Sequence, residues 1–153
     1  MRIVLDTNIL VRANPTVSPL GLARELLLTT VSGPHTLILS APILVEVRRV
    51  LNYPHVQARW PLTQEAIEQY LHFLEAAGIL VEAPVSSPAV VSDPDDDPIL
   101  QTAIVGRAHV LCTRDEAFRH KAVDHVCRAH GIRILDDITL MQELRRQEGS
   151  TAT

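Results

Sequence analysis

Seven acidic positions have the type and spacing to do chemistry together. Asp6 directly follows the short apolar run Ile3-Val4-Leu5, and Glu46 stands inside Ile43-Leu44-Val45-Glu46-Val47. Asp93, Asp95, Asp96 and Asp97 crowd into five positions, and Asp115 closes Leu111-Cys112-Thr113-Arg114-Asp115. Two carboxylates about 4 Å apart repel by about 4 kcal/mol at an effective dielectric near 20. Three or four brought together therefore need a cation or protons. Hard oxygen donors without a Cys/His set suit Mg²⁺ or Mn²⁺ better than Zn²⁺. Such a centre does phosphoryl or phosphodiester chemistry, because the ion acidifies a bound water and offsets charge on the attacked phosphate.

Each acid also has a plainer role. Asp6 suits the opening of a turn, where its side chain bonds the backbone two residues on. Asp96 or Asp97 suits the cap of a helix starting near Pro98, at the positive end of its dipole. Asp115 suits an N-cap, and Thr113-x-x-Glu116 matches a capping box. Glu46 is hardest to dismiss. Ile43, Glu46 and Val50 fall at i, i+3 and i+7 on one helical stripe, so the glutamate faces apolar neighbours. Buried carboxylates are rare unless paired or metal-bound. The plainer alternative puts Glu46 at the edge of that stripe, reaching outward.

The elements that must position these acids alternate. Short apolar runs at 3–5, 36–39, 79–81, 110–112 and 132–135 read as strands. Helices read at 20–31, from Ser40 through Leu51 with Pro42 just inside, from Thr63 to Gly78, at 99–106 and at 138–145. Asn52-Tyr53-Pro54 reads as a break, 84–98 as a loop, and 116–130 does not divide. Alternating strands and helices predict an α/β fold, a three-layer α/β/α sandwich around a mostly parallel sheet of about five strands. Such sheets carry their functional groups at the carboxyl ends of the strands. If strands one and four are neighbours, Asp6 and Asp115 face one crevice.

Composition bounds the function. The chain has 153 residues, enough for one domain with a real core, and 46% of them are hydrophobic. A net charge of −4 excludes a strongly basic nucleic-acid glove as a description of the whole chain. Two cysteines, Cys112 and Cys127, are too few for a disulfide-stapled fold and read as reduced thiols. Neither a signal peptide nor a membrane span is legible, which points to the cytoplasm. Aromatics total 3%, so a base-stacking platform is poorly supplied. His120, His125 and His130 recur every five residues; with only one Cys127-x-x-His130 pair they read as surface histidines rather than a zinc site.

Four segments together resemble the PIN-domain nucleases, most closely the bacterial branch of toxin components of type II toxin–antitoxin systems. Val4-Leu5-Asp6-Thr7-Asn8-Ile9-Leu10 is similar to the family's opening strand and first acid. Ser40-Ala41-Pro42-Ile43-Leu44-Val45-Glu46-Val47 is similar to its glutamate helix. Asp93-Pro94-Asp95-Asp96-Asp97-Pro98-Ile99-Leu100 and Leu111-Cys112-Thr113-Arg114-Asp115 resemble its third and last acidic motifs. The resemblance covers about residues 2–145. It implies a PIN domain over 1–146 and a flexible tail at 147–153. It implies that Asp6, Glu46, Asp96 and Asp115 form the acidic, metal-holding quartet, with Asp97 as the alternative to Asp96 and Asp93 a weaker one. Asn8 and Thr113 would hold hydrogen bonds behind the carboxylates. The implied reaction is Mg²⁺- or Mn²⁺-dependent hydrolysis of single-stranded RNA, leaving a 5′-phosphate and a 3′-hydroxyl. Arg48, Arg49, Arg114 and Arg119 lie beside the motifs and suit phosphate contacts, or plain solvated faces. The family further implies a homodimer and a cognate antitoxin.

Two rivals remain. A haloacid-dehalogenase-like phosphatase also begins with an apolar strand and Asp, but needs a second Asp two positions on, where this chain has Asn8. A non-catalytic module of the same fold, binding RNA or protein, has no use for the full set of acids.

Overall fold

The computed structural model of the chain describes residues 1–83 and 97–152; of Asp97 only the backbone is described. Residues 84–96 of the loop expected at 84–98, with the candidates Asp93, Asp95 and Asp96, thus lie outside the described residues, while 97 and 98 open a helix rather than ending the loop. The chain runs β1 (Arg2–Leu5), α1 (Thr7–Arg12), α2 (Leu22–Ser32), β2 (Thr36–Ser40), α3 (Ala41–Leu51), α4 (Pro54–Arg59), α5 (Gln64–Ala77) and β3 (Ile79–Val81). It continues with α6 (Asp97–Val105), β4 (Val110–Cys112), a 3-10 turn (Glu116–Arg119), α7 (Lys121–Ala129), β5 (Arg133–Leu135) and α8 (Asp137–Thr151).

The five strands form one parallel sheet in the order β3-β2-β1-β4-β5. β1 lies at its centre, and Ile3, Val4 and Leu5 are fully buried, as a continuous apolar run between two helix layers must be. Connections run outward from β1 to β3, then cross back to β4 and on to β5. Right-handed crossovers of opposite direction place helices on both faces, which is the expected three-layer sandwich. The direction of winding reverses between β1 and β4, so the crevice beyond their carboxyl ends is the place where such a sheet binds ligands.

The structure adds elements that the periodicity hid. α1 has six residues, too few to show a 3.6-residue period. Pro54, read as a break, instead occupies the first turn of α4, where its missing N–H is harmless. The undivided stretch splits at His120, which ends the 3-10 turn and begins α7. Cys127 packs into the core while His120, His125 and His130 are exposed. α8 runs past Arg145 to Thr151, so residues 147–151 continue that helix. Among the described residues no helix is long and apolar enough to cross a membrane.

Candidate active site at the carboxyl edge of the sheet

β1 ends at Leu5, paired with Cys112 of β4, and the Asp6 amide donates to the Cys112 carbonyl at 2.9 Å. That bond pins Asp6 at the switch point. The adjacent pairing of the strands sets Asp115 beside it, as the sequence asked. The two acids and Asn8, Ile9, Arg12 and Arg114 line one cleft of about 280 Å³.

Thr113 joins the two acids. It is 3% exposed. Its hydroxyl donates to Asp6 Oδ2 at 2.6 Å and accepts the Asp115 amide at 2.9 Å. The Thr113–Glu116 pair does not form the expected capping box. Asp115 itself caps the 3-10 turn, accepting the Ala117 amide at 2.9 Å on Oδ1. The Thr113 hydroxyl is already engaged by Asp6 and the Asp115 amide, so Asp115 takes the N-cap role that the sequence also allowed it. The bond uses one of the two Asp115 oxygens.

Asp6 is 4% exposed. Burial raises its pKa; the Thr113 hydroxyl and the Thr7 and Asn8 amides pull it back, and the Asp115 charge raises it further. Among the described residues no basic group lies within ion-pair distance of it. A buried carboxylate next to a second carboxylate, held by a hydroxyl and without a counter-ion, is an oxygen-rich site that suits a hard divalent cation. Asp6 and Asp115 could each offer an oxygen. Among the described residues no three His, Cys, Asp or Glu side chains come together as a metal-holding group.

The other expected residues stand as follows. Glu46 is not among the residues lining the cleft. Its side chain is 28% exposed and accepts from Arg49 Nη2 at 2.7 Å. It therefore sits at the edge of the apolar stripe of α3 rather than facing it: Ile43 and Val47 point inward, and Glu46 leans toward the last turn. Asn8 is exposed at the cleft wall. Arg114 lines the cleft, whereas Arg119 lines a neighbouring one with Lys121, Asp136 and Thr113. Arg48 is engaged by Glu68 through two bonds of 2.7 and 3.0 Å, and Arg49, besides Glu46, lies over the Tyr53 ring.

Several side-chain contacts around the site were not legible in the sequence. Ser40 stands at the N-cap position of α3, but its hydroxyl bonds the buried Thr102 hydroxyl at 2.7 Å instead of capping the helix. Thr102 in turn donates to the Pro98 carbonyl at 2.5 Å, so the start of α6 is tied to the start of the Glu46 helix. Tyr70 donates its hydroxyl to the Leu10 carbonyl, fastening α5 to α1. Asp137, 1% exposed, holds Arg114 Nε at 2.6 Å. Burial and then the carboxylates Asp137, Asp136 and Asp6 push the Cys112 thiol pKa up, which places that thiol among the acids as an inert core group.

A family model described as a PIN domain matches residues 2–117, from the strand before Asp6 to just past Asp115. No curated protein matches the chain. The match spans most of the sequence and all the strands and motifs that build the cleft, so the chain belongs to the PIN-domain family.

Proposed function

We propose that this PIN domain is a Mg²⁺- or Mn²⁺-dependent ribonuclease that hydrolyses phosphodiester bonds of single-stranded RNA. The observation that carries the reading is the buried Asp6 carboxylate, without a described counter-ion, beside Asp115 at the switch point of the sheet. Asp6 and Asp115 would hold the ion with Asp96, or Asp97 in its place, and Glu46 would complete the set directly or through water. When bound, the ion supplies a more acidic water and positive charge beside the attacked phosphate. The chain supplies the rest. Thr113 fixes the Asp6 carboxylate through Oδ2 and, through the Asp115 amide, the turn that carries the second acid. Arg114 gives the cleft wall a guanidinium that suits a phosphate oxygen. With no aromatic side chain among the described residues of that wall, recognition rests on the backbone phosphates rather than on stacked bases.

The motif resemblance extends the proposal to a cytoplasmic toxin of a toxin–antitoxin pair, acting as a homodimer and silenced by a small antitoxin protein. A small gene adjacent to or overlapping this one would support that part. The nuclease reading is tested with end-labelled single-stranded RNA, Mn²⁺ and an Asp6→Asn control. Cleavage that needs both Mn²⁺ and Asp6, leaving 5′-phosphate ends, is the expected result. Equal cleavage by wild type and Asp6→Asn, or RNA binding with no Asp6-dependent cleavage, returns the chain to a non-catalytic module.

A further inference from the structure

Two guanidiniums, Arg12 and Arg114, line the same cleft as Asp6 and Asp115. Arginines beside partly desolvated carboxylates ordinarily pair with them. Here both reach a different acid. Arg114 Nε donates to Asp137 Oδ1 at 2.6 Å, and Arg12 Nη2 lies 3.9 Å from Asp137 Oδ2. The Asp137 side chain is 2% exposed against 48% for Arg114 and 41% for Arg12. The acid is thus the buried member and the arginines are the solvated ones. The three residues come from the first position of α8, the segment after β4 and the end of α1.

We propose that Asp137 is a positioning residue that holds Arg12 and Arg114 off Asp6 and Asp115, keeping those oxygens open to a divalent cation. The inference rests on the nuclease reading of the same cleft. A guanidinium on Asp6 or Asp115 competes with the metal for the same lone pairs. Arginine stays charged across the working pH range, so deprotonation never removes this competitor. Only a rival carboxylate does, and Asp137 presents one oxygen to each arginine. Its burial makes the hold one-sided: an unpaired Asp137 carboxylate would be costly, while the half-exposed arginines have water as an alternative.

The test is Mn²⁺ binding to the full chain, read from the free-ion signal in electron paramagnetic resonance and independent of cleavage. Asp137→Asn, nearly the same size, is expected to weaken Mn²⁺ binding by about 10–100-fold, as loss of a residue behind a ligand does. Adding Arg12→Gln and Arg114→Gln to it should return most of the lost affinity, an outcome that a merely structural role does not give. If Asp137→Asn does not fold, Arg12→Gln/Arg114→Gln in the wild-type background carries the test: Mn²⁺ binding equal to or tighter than wild type supports the proposal, and weaker binding overturns it. Wild-type affinity in a folded Asp137→Asn, or a loss that removing the arginines does not reverse, also overturns it. Asp6→Asn separates the two levels. If Mn²⁺ binding does not depend on Asp6, the nuclease reading falls and this inference with it; if it does, and Asp137→Asn binds like wild type, the inference falls alone.

Discussion

Asp6 at the end of β1 is 4% exposed and Asp137 at the start of α8 is 1% exposed, yet only Asp137 has guanidiniums on it. Asp6 has the Thr113 hydroxyl and the second carboxylate of Asp115. The two lie at the same edge of one sheet and both act on the Cys112 thiol, so position and burial do not separate them. Partners do. Asp137 draws Arg114 into a charge-assisted bond that holds the guanidinium pKa above its ordinary value, and this pair ties α8 to the segment after β4. Asp6 bears the cost of burial with hydrogen bonds from uncharged groups alone, and its pKa is raised accordingly. One buried acid is satisfied from within the protein. The other is left poised for something brought from outside.

Breaking the Asp6 side of this contrast gives the largest effect. Asp6→Asn keeps the size and an acceptor for Thr113 but removes the charge. Its Mn²⁺-dependent RNA cleavage should fall by more than about 100-fold, beyond the range for residues that only support a ligand. Next comes Thr113→Val, which deletes the bond to Asp6 and the acceptor for the Asp115 amide; activity should drop by about 10–100-fold, with Thr113→Ser recovering most of it. On the other side, Asp137→Ala leaves Arg114 without its acceptor. Stability should fall by about 1.5 kcal/mol, the low end for a charged hydrogen bond because the arginine is half in water, as measured by urea unfolding.

A pH dependence sharpens the contrast further. The folded pKa of Asp6 lies above its ordinary 3.8. The metal-free protein therefore has the full benefit of a protonated Asp6 below that value and loses it as pH rises through the folded pKa. At neutral pH, metal-free Asp6→Asn should melt higher than wild type, and the gap should close as pH falls toward 3.8. The smallest effect belongs to the exposed Arg48–Glu68 pair. Arg48→Ala should leave the salt dependence of RNA affinity unchanged, whereas Arg114→Ala should lower its slope by about 0.7 if it meets one phosphate of a single strand.

The contrast also marks where reading from sequence succeeds. Asp6 and Asp115 each follow an apolar run that reads as a buried strand, so their place at a carboxyl edge was legible; that the two strands are neighbours was a condition, and the sheet meets it. Thr113 was legible beside them, though not the two hydrogen bonds by which its hydroxyl links Asp6 to Asp115. Asp137 was not. Asp136 and Asp137 stand directly before the helix expected at 138–145, and Asp136 caps it, accepting the Thr139 amide at 2.7 Å. Nothing local says that the second of the pair turns inward, because its partners lie 23 and 125 positions away in the chain. Arg12 was hidden with α1, whose six residues are too short to show a period. Glu46 takes the plainer of its two readings, at the edge of the stripe, because Arg49, three positions on, holds its carboxylate outward. Ser40 fits every rule for a helix cap, and its bond to Thr102, 62 positions away, overrides the local rule.

A structure of the protein soaked in Mn²⁺, with the ion located by its anomalous scattering, tests the central claim most directly. The account predicts an ion on the Asp6 carboxylate, shared with Asp96 or Asp97, while Arg12 and Arg114 stay on Asp137. No ion at Asp6, or an ion that displaces the arginines and binds Asp137 instead, would contradict it.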